Sequence, residues 1–279
     1  MLNLRKGIQR IRERLRTECL FEDGTLYISA IPGTGTEAVV VFTSLNGNYA
    51  ARGGQSEFIG TASKGGERAC IFVTDKTQSW YQTKGLAEKV VEVVRGQLDA
   101  WGSQRVLAVG YSMGAYGAMR LAKRLGVHSV LAFGPQYHPD PELVPGDPRW
   151  PEERGAIAEF TLGPVGEEMS DDIAYYVLHG RQGCDILHWS RFPQGPNIRH
   201  FIVPMIGHAV TPKLKEAGAL PALFDAAFED RFQKFRKVIW QVKARLRQPG
   251  ETWETHPNHW YYKEILKVPH PDDVRGAAQ

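Results

Sequence analysis

Residues 106–125 read VLAVGYSMGAYGAMRLAKRL and contain the most informative pattern in the chain. A short apolar run at 106–109 leads into Gly-Tyr-Ser-Met-Gly at 110–114, and a helical pattern of apolar residues follows at once. In the pattern G-x-S-x-G, a serine on a sharp strand-to-helix turn points its hydroxyl out of the sheet. The two glycines leave room where a Cβ would clash with neighbouring backbone. The sequence therefore predicts that Ser112 is a nucleophile on a strand–turn–helix unit, with its Oγ directed out of the sheet.

Further apolar runs on both sides of this unit predict strands that are buried on both faces. They are rich in Val, Ile, Phe and Tyr, do not alternate in polarity, and occupy residues 38–43, 69–74, 129–133, 173–178 and 200–203. Between some of them, helical spacing of apolar residues predicts helices over 86–101 and 113–125. Alternation of strands and helices is typical of right-handed crossovers, so we expect an α/β protein with a mostly parallel sheet and helices on both faces. Residues 25–30 are predicted to form a strand that pairs antiparallel at an edge of the sheet.

The remaining segments predict one domain with an insertion and two terminal extensions. Residues 134–170 contain seven prolines and no clear periodicity, which is typical of a functional lid or binding loop, so we interpret them as a cap insertion. We expect an amphipathic helix over 1–17, the domain over 18–248 and a C-terminal tail over 249–279. Apolar residues between 228 and 246 also follow helical spacing. We expect both terminal helices to dock on the core, and the alternative is a partner-binding or membrane-surface helix.

Composition excludes several classes of protein. The chain has 279 residues, of which 42% are hydrophobic and 23% charged, as in ordinary globular domains. No run approaches the roughly 18 apolar residues of a membrane span, and no secretory signal follows the first residues. The net charge of +3 is too small to indicate a nucleic-acid partner, and three widely spaced cysteines exclude a disulfide scaffold. We therefore expect a cytoplasmic protein with no membrane span and no nucleic-acid partner.

With a buried strand before it and a helix after it, the 110–114 pattern resembles that of the α/β-hydrolase superfamily, which includes esterases, lipases, thioesterases and related acyltransferases. Judged by the order of the predicted strands and helices, the resemblance extends over about residues 25–225. It implies the α/β-hydrolase fold and a nucleophile, an acid and a histidine in that chain order. This order has a chemical reason, because a serine hydroxyl needs a base within hydrogen-bond reach and the base needs an orienting partner.

Two residues that lie later in the chain than Ser112 match the positions that the resemblance implies for the base and the acid. His208 follows the last predicted strand, where the superfamily has its histidine. Asp185 follows the strand at 173–178 in a glycine-containing loop, which is the usual position of the acid. Asp140, after the strand at 129–133, is an alternative acid that some relatives use. We expect Ser112, Asp185 and His208 to form a triad, with Asp140 as the alternative.

An oxyanion hole is the fourth requirement for acyl transfer, and it is usually built from backbone N–H groups. The resemblance implies one donor at Met113, directly after the nucleophile, and one in the loop after the strand at 38–43. Residues 44–48 of that loop read SLNGN in place of the more common His-Gly pair. We place the second donor at Leu45, and we expect Asn46 and Tyr111 to contact substrate. The alternative for Asn46 and the glycine after it is a simple turn.

Together these residues predict a serine hydrolase that cleaves a carboxylic ester or thioester through an acyl-enzyme on Ser112. The expected partner is a small-molecule acyl ester, no metal or organic cofactor is expected, and the terminal helices are candidate contacts for a homo-oligomer. One alternative is an acyltransferase that passes the acyl group from the same serine to an alcohol or sugar. Another is an α/β-hydrolase fold that binds partners without catalysis.

Overall fold

The computed structural model describes residues 17–45 and 57–268. In this part of the chain, nine strands form one sheet in the order β1-β2-β4-β3-β5-β6-β7-β8-β9. Strands β4, β3, β5, β6, β7 and β8 are parallel to one another, whereas β1, β2 and β9 pair antiparallel at the two ends. The strands are β1 Glu18–Glu22, β2 Leu26–Ile31, β3 Glu37–Phe42, β4 Ala69–Asp75, β5 Arg105–Tyr111, β6 Ser129–Phe133, β7 Ala174–Gly180, β8 Ile198–Val203 and β9 Arg245–Leu246.

Helices cover both faces of the sheet. The α-helices of the described residues are α1 Ile59–Ala62, α2 Leu86–Ala100, α3 Met113–Leu125, α4 Pro151–Gly155, α5 Asp185–Trp189, α6 Val210–Glu216, α7 Leu220–Phe228 and α8 Phe232–Ile239. Short 3-10 turns occupy Lys64–Gly66 and Trp240–Val242, and a π-helical turn occupies Tyr261–Ile265. Within 17–45 and 57–268, each helix is too short or too polar to span a bilayer.

The sheet separates two hydrophobic cores, because successive side chains of a strand point to opposite faces. In β3, Val40 and Phe42 pack with residues of α2 and α3, whereas Val39 and Val41 pack with residues of α6, α7 and α8. Both sets are fully buried. This double burial explains why the central strands read as continuous apolar runs in the sequence.

The predicted α/β class and mostly parallel sheet are confirmed, with two corrections at the sheet ends. Residues 25–30 do lie in an antiparallel strand, but β1 is the edge and β2 lies inside it. The helical pattern at 228–246 is not one helix: α7 ends at Phe228, α8 covers Phe232–Ile239, and residues 245–246 form β9. The pattern arises because Phe228, Phe235 and Ile239 each bury a ring or alkyl group in the same core.

The terminal extensions are only partly described. Residues 1–16, which contain most of the predicted N-terminal helix, and residues 269–279 lie outside the described residues. Part of the segment predicted as a C-terminal tail packs on the domain: Trp253, Tyr262 and Val268 form a buried cluster with Val144 of the insertion and Trp189 of α5.

The insertion at 134–170 lies against helix α3. The Tyr116 hydroxyl is 2.8 Å from the Gly163 carbonyl oxygen, and Arg120 Nη1 donates to the Pro164 carbonyl at 3.2 Å. Leu162 joins the core on this side of the sheet. Helix α3 is therefore buried between the sheet and the insertion, and the insertion is fixed to the element that begins directly after Ser112.

Helix α3 begins in backbone contact with the strands beside it. A Cβ on Gly114 would lie 2.2 Å from the Phe42 carbonyl oxygen of β3, and a Cβ on Gly110 would lie 2.2 Å from the Gly114 carbonyl carbon. Real Cβ atoms are essentially never so close to other heavy atoms. The two glycines of the G-x-S-x-G pattern are therefore required by space, as the sequence predicts.

Because this contact cannot accommodate a methyl group, we expect Gly114→Ala to lower the free energy of unfolding by about 3 kcal/mol or more. Gly96→Ala is the control, since Gly96 is exposed in helix α2 and a Cβ there has open space around it. Alanine at that position should raise stability by about 0.5–1 kcal/mol. Urea unfolding of both variants measures the difference, and similar stabilities would contradict the close contact.

Candidate active site

Ser112 lies at the turn between β5 and α3 in a strained backbone conformation. Its φ is 56° and its ψ is −124°, and its N–H donates to the Phe133 carbonyl of β6 at 2.8 Å. A non-glycine residue with such a φ costs on the order of 1–3 kcal/mol and persists only where the surroundings impose it. Here the close packing of α3 on β3 and β5 imposes it. The side chain lies at the carboxyl edge of the parallel strands, the usual ligand-binding edge of such sheets.

His208 and Asp185 meet Ser112 at this edge. His208 Nε2 is 2.8 Å from Ser112 Oγ, and His208 Nδ1 is 3.0 and 3.2 Å from the two carboxylate oxygens of Asp185. His208 follows β8, and Asp185 is the first residue of α5, after β7. The structure thus brings together the three side chains that the sequence predicts as a triad. The alternative acid, Asp140, instead accepts the N–H of Glu142 at 2.8 Å in the insertion.

The insertion supplies a counter-ion to Asp185 that the sequence analysis did not identify. Arg149 Nη1 donates to Asp185 Oδ1 at 2.6 Å. The same guanidinium binds the buried carboxylate of Asp147 through Nε at 2.9 Å and Nη2 at 2.8 Å. Asp147 also accepts from His188 Nε2 at 2.7 Å. The Asp185 carboxylate therefore contacts the Arg149 guanidinium as well as the His208 imidazole.

These contacts determine the protonation state of the two aspartates. Burial raises the pKa of Asp185, but the charge and hydrogen bond of His208 and the charge of Arg149 outweigh burial and hold that pKa below its ordinary value. Burial also raises the pKa of Asp147, and the hydrogen bonds from His188 and Arg149 reverse that effect, so its pKa is low as well. Both carboxylates are ionised at neutral pH, and Asp185 acts on His208 as an anion.

Aromatic rings enclose the imidazole of His208. The Tyr111 ring stacks on it with centroids 5.1 Å apart, and the Tyr111 hydroxyl donates to the His208 carbonyl at 3.1 Å. Trp150 meets the same imidazole edge-on at 5.6 Å, and the Arg149 guanidinium lies over the Trp150 ring. Tyr111 also lines a cavity of about 730 Å³, together with Phe58, Ile59, Leu220 and Pro221 among others. The predicted substrate contact Tyr111 therefore lies between the imidazole and a largely apolar cavity.

The predicted oxyanion donors lie at the start of α3 and in the loop after β3. Met113 is the first residue of α3, and the first N–H groups of a helix have no partner within the helix. Leu45 follows β3 and is partly buried against the core. Asn46 lies outside the described residues, so its predicted contact with substrate stays a prediction.

Gln136 is a further site residue that the sequence analysis did not identify. Its Nε2 is 3.2 Å from Ser112 Oγ, and its Oε1 accepts from Trp80 Nε1 at 2.9 Å. A signal was present, because Gln136 follows β6, the neighbour of β5, and so lies at the same edge of the sheet as Ser112. Arg149 and Trp150 carried no such signal, since they belong to an irregular segment without periodicity.

Buried histidines support the loop behind the site. His179 Nε2 lies 2.8 Å from the Pro135 carbonyl, which only accepts, so Nε2 carries the proton and donates. His179 Nδ1 must then accept from His200 Nε2, 2.9 Å away. Burial lowers the pKa of His179 to about 3 and lowers that of His200 well below its ordinary value. Both rings are neutral in the folded chain at neutral pH, and His200 is a buried residue of β8.

Within residues 17–45 and 57–268, no group of three or more His, Cys, Asp or Glu side chains is arranged to hold a metal ion. The side chains around Ser112 are instead a hydroxyl, an imidazole, a carboxylate and a carboxamide. This set can move a proton between Ser112 and His208 and can donate hydrogen bonds to a substrate oxygen.

Comparison with solved structures finds many of similar fold. An esterase from Pyrococcus furiosus aligns over 78% of this chain and 93% of its own, with 13% identity and a TM-score of 0.52. An α/β serine hydrolase without a lid from Xanthomonas campestris aligns over 76% and 94%, with 15% identity and a TM-score of 0.45. A proline iminopeptidase-related protein from Thermus thermophilus aligns over 77% and 99%, with 15% identity and a TM-score of 0.48. No family model and no curated protein matches the sequence.

The chain has the α/β-hydrolase fold. The fold that the residues around Ser112 implied is thereby confirmed, and the structural neighbours include serine hydrolases and esterases. At 12–15% identity this likeness concerns the fold alone. What the site does must follow from its own residues, because one fold carries many activities.

The buried pair His179–His200 makes stability depend on pH. Their pKa values are depressed in the folded chain, so between about pH 6.5 and the low folded values the unfolded chain binds more protons, and stability falls as pH falls. Each histidine contributes up to about 1.4 kcal/mol per pH unit in that window. We expect urea unfolding between pH 7 and pH 5 to give a free energy that declines with acidity.

The matched variants are His200→Gln and His259→Gln. Glutamine at 200 keeps an N–H donor for His179 but does not titrate, so the pH slope should decrease by about 1.4 kcal/mol per unit. His259→Gln, at an exposed position, is the control for replacing a histidine by glutamine, and the slope of His200→Gln is compared with it. A slope that His200→Gln does not alter would contradict the neutral buried pair.

Proposed function

We propose that the protein is a serine hydrolase that cleaves a carboxylic ester or thioester through an acyl-enzyme on Ser112. One observation carries the proposal: His208 Nε2 is 2.8 Å from Ser112 Oγ while His208 Nδ1 is 3.0 Å from Asp185. A hydroxyl becomes a useful nucleophile at neutral pH only when a base within hydrogen-bond reach takes its proton. The base in turn needs a partner that fixes its tautomer, and the Asp185 carboxylate accepts from Nδ1 and so leaves Nε2 free to act as the base.

The proposed reaction has two halves. Ser112 Oγ attacks the acyl carbonyl carbon as its proton passes to His208 Nε2, and Asp185 stabilises the imidazolium that forms. The Met113 N–H, and in our proposal that of Leu45, donate to the oxyanion. His208 then gives its proton to the leaving alcohol or thiol, and the acyl group stays on Ser112. Water attacks the acyl-enzyme with His208 again as base, and the acid product leaves.

The surroundings of His208 favour a substrate with an apolar part. The cavity beside Tyr111 has a volume of about 730 Å³, within the range of small-molecule sites. Phe58, Ile59 and Leu220 line it with apolar side chains, whereas Glu57 and Lys215 supply charge. We propose that the acyl or alcohol part of a small ester occupies this cavity, with the reacting carbonyl at Ser112.

The nucleophile assignment has a direct test. Because a fluorophosphonate labels an activated serine, we expect the wild-type protein to be labelled and Ser112→Ala to lose the label completely. Ser103→Ala is the control, since Ser103 precedes β5 at the opposite edge of the sheet and should label like the wild type. A labelled-peptide map by mass spectrometry identifies the site. Full labelling of Ser112→Ala would reject the nucleophile.

A second prediction separates the two candidate acids. Asp185→Asn should lower kcat/KM for p-nitrophenyl esters by about 10⁴, because an amide stabilises the wrong imidazole tautomer and cannot stabilise the imidazolium. Asp140→Asn should change it less than threefold, since that carboxylate contacts the Glu142 N–H and not His208. Steady-state kinetics of both variants give the comparison. Equal losses would overturn the assignment of Asp185.

A further inference from the structure

The Gln136 carboxamide is oriented by chemistry as well as by packing. The side chain is buried, with Nε2 at 3.2 Å from Ser112 Oγ and Oε1 at 2.9 Å from Trp80 Nε1. An indole N–H can only donate, so it requires the amide oxygen on its own side. The NH₂ group of Gln136 is therefore directed at Ser112, and the reverse orientation would leave two donors facing each other at Trp80.

The backbone on both sides of Gln136 is fixed as well. The preceding carbonyl, of Pro135, accepts from His179, and the following N–H, of Tyr137, donates to His188 Nδ1 at 3.0 Å. A histidine ring thus holds each flank of the residue. Gly134, at the start of this loop, has a φ of 55° and lies beside the His208 ring. A Cβ on Gly134 would be 3.3 Å from atoms of that ring.

The position of Trp80 is also fixed by its surroundings. Its side chain is fully buried, and its loop wraps around the buried carboxylate of Asp75. That carboxylate accepts the backbone N–H groups of Thr77, Ser79 and Tyr81, each at 2.9 Å. Both members of the Trp80–Gln136 pair are therefore preorganised, which is the condition under which a hydrogen-bond donor stabilises developing charge most strongly.

The donor has a role that changes during the reaction. A carboxamide has two N–H groups, and within the described residues Nε2 has Ser112 Oγ as its acceptor. When Oγ bonds to the acyl carbon and its proton passes to His208 Nε2, it becomes an ether-type oxygen of the tetrahedral adduct and a weak acceptor. The former carbonyl oxygen, on that same carbon, becomes the anion. Because both oxygens are bonded to the same carbon, we place the charged oxygen within reach of a donor that lies 3.2 Å from Oγ.

We infer that Gln136 is a further catalytic residue, a side-chain donor to the oxyanion that acts beside the Met113 N–H. This inference rests on the proposed function, since it requires Ser112 to be the nucleophile. It also gives the site a donor outside the loop after β3, where residues 44–48 lack the more common His-Gly pair. The donor comes from the loop after β6 and depends on Trp80 for its orientation.

The test compares Gln136→Leu with the wild type by two readouts that need no knowledge of the substrate. The first is the second-order rate of inactivation by a fluorophosphonate, and the second is the Kd of phenylboronic acid, which forms a tetrahedral anionic adduct with an active serine. Loss of an oxyanion donor should lower the inactivation rate about 100-fold and raise the boronate Kd at least tenfold. An unchanged boronate Kd would overturn the inference, because a residue that only orients the free hydroxyl does not affect the adduct.

Gln82→Leu is the matched control. Gln82 is also a buried glutamine, and its side chain binds the Tyr116 hydroxyl and the backbone of Leu162 instead of Ser112. Either variant leaves a buried partner without its hydrogen bond, so their losses of stability should be similar. Gln82→Leu should change both readouts less than threefold. Equal effects of the two variants would overturn the inference.

Trp80→Phe keeps Gln136 in place but removes the N–H that orients its amide. We expect the inactivation rate to fall about tenfold, although Ser112 and His208 are not substituted in this variant. This variant covers the case in which Gln136→Leu does not fold, and a rate within twofold of wild type would then overturn the inference. Failure of the wild-type protein to react with the fluorophosphonate would instead reject the proposed function, so the two failures are distinguishable.

Discussion

The contact between the first turn of helix α3 and strands β3 and β5 positions everything else at the site. Because residues 110 and 114 have no Cβ, the helix begins directly on the strand backbone, and Ser112 must turn with a positive φ. This places its hydroxyl at the carboxyl edge of the sheet. The strands after β5 then return to that same edge, so the loops after β6, β7 and β8 reach the serine from one side. Gln136, Asp185 and His208 come from these three loops.

The Asp147–Arg149–Asp185 network explains how the acid of this site keeps its charge although it is buried. Asp185 Oδ1 accepts from Arg149 as well as from His208 Nδ1. Because the guanidinium cannot give up its proton, it lowers the proton affinity of the carboxylate at all ordinary pH values. In the proposed reaction, a proton that reaches His208 therefore stays on the imidazole, and Asp185 stabilises the imidazolium as an anion. Such buried ion pairs contribute little net stability because desolvation offsets attraction, but they specify one arrangement.

Arg149 also links the insertion to the site. It lies two residues from Asp147, which His188 of α5 holds, and its guanidinium packs on Trp150, which meets His208 edge-on. Movement of this part of the insertion away from α5 would remove the counter-ion of Asp185 and one aromatic wall of His208 together. The irregular segment is thus part of the site's electrostatics as well as its cover.

The sequence predicted the elements whose surroundings are uniform along the chain. Central strands such as Ser129–Phe133, buried on both faces, read as apolar runs, and helix Met113–Leu125 was predicted to the residue. The sequence predicted that Ser112, Asp185 and His208 meet because each follows a parallel strand, and the carboxyl ends of parallel strands lie at the same edge of the sheet. Strand β1 was missed because it is an edge strand with exposed Glu18 and Cys19 and shows no apolar run.

What the sequence could not predict depends on contacts between distant residues. Arg149 binds an aspartate 36 residues away, and Trp80 binds a glutamine 56 residues away. Neither pairing is marked by periodicity or spacing. The pattern at 228–246 was misread as one helix for a related reason, because apolar side chains in two helices and a strand face the same core and reproduce helical spacing. Long-range pairing, and not local propensity, decided these cases.

The arrangement around Ser112 favours catalysis over a binding role for the fold. A serine held at φ 56° costs folding free energy, and the buried carboxylates of Asp147 and Asp185 are tolerated only because Arg149, His188 and His208 compensate their desolvation. A protein that used only its outer surface to bind partners would need neither the strained turn nor this buried charge network. Their geometry is instead directed at one hydroxyl group, which Nε2 of His208 and Nε2 of Gln136 both contact. Strain and buried charge concentrated around one hydroxyl group are what the proposed reaction at Ser112 requires.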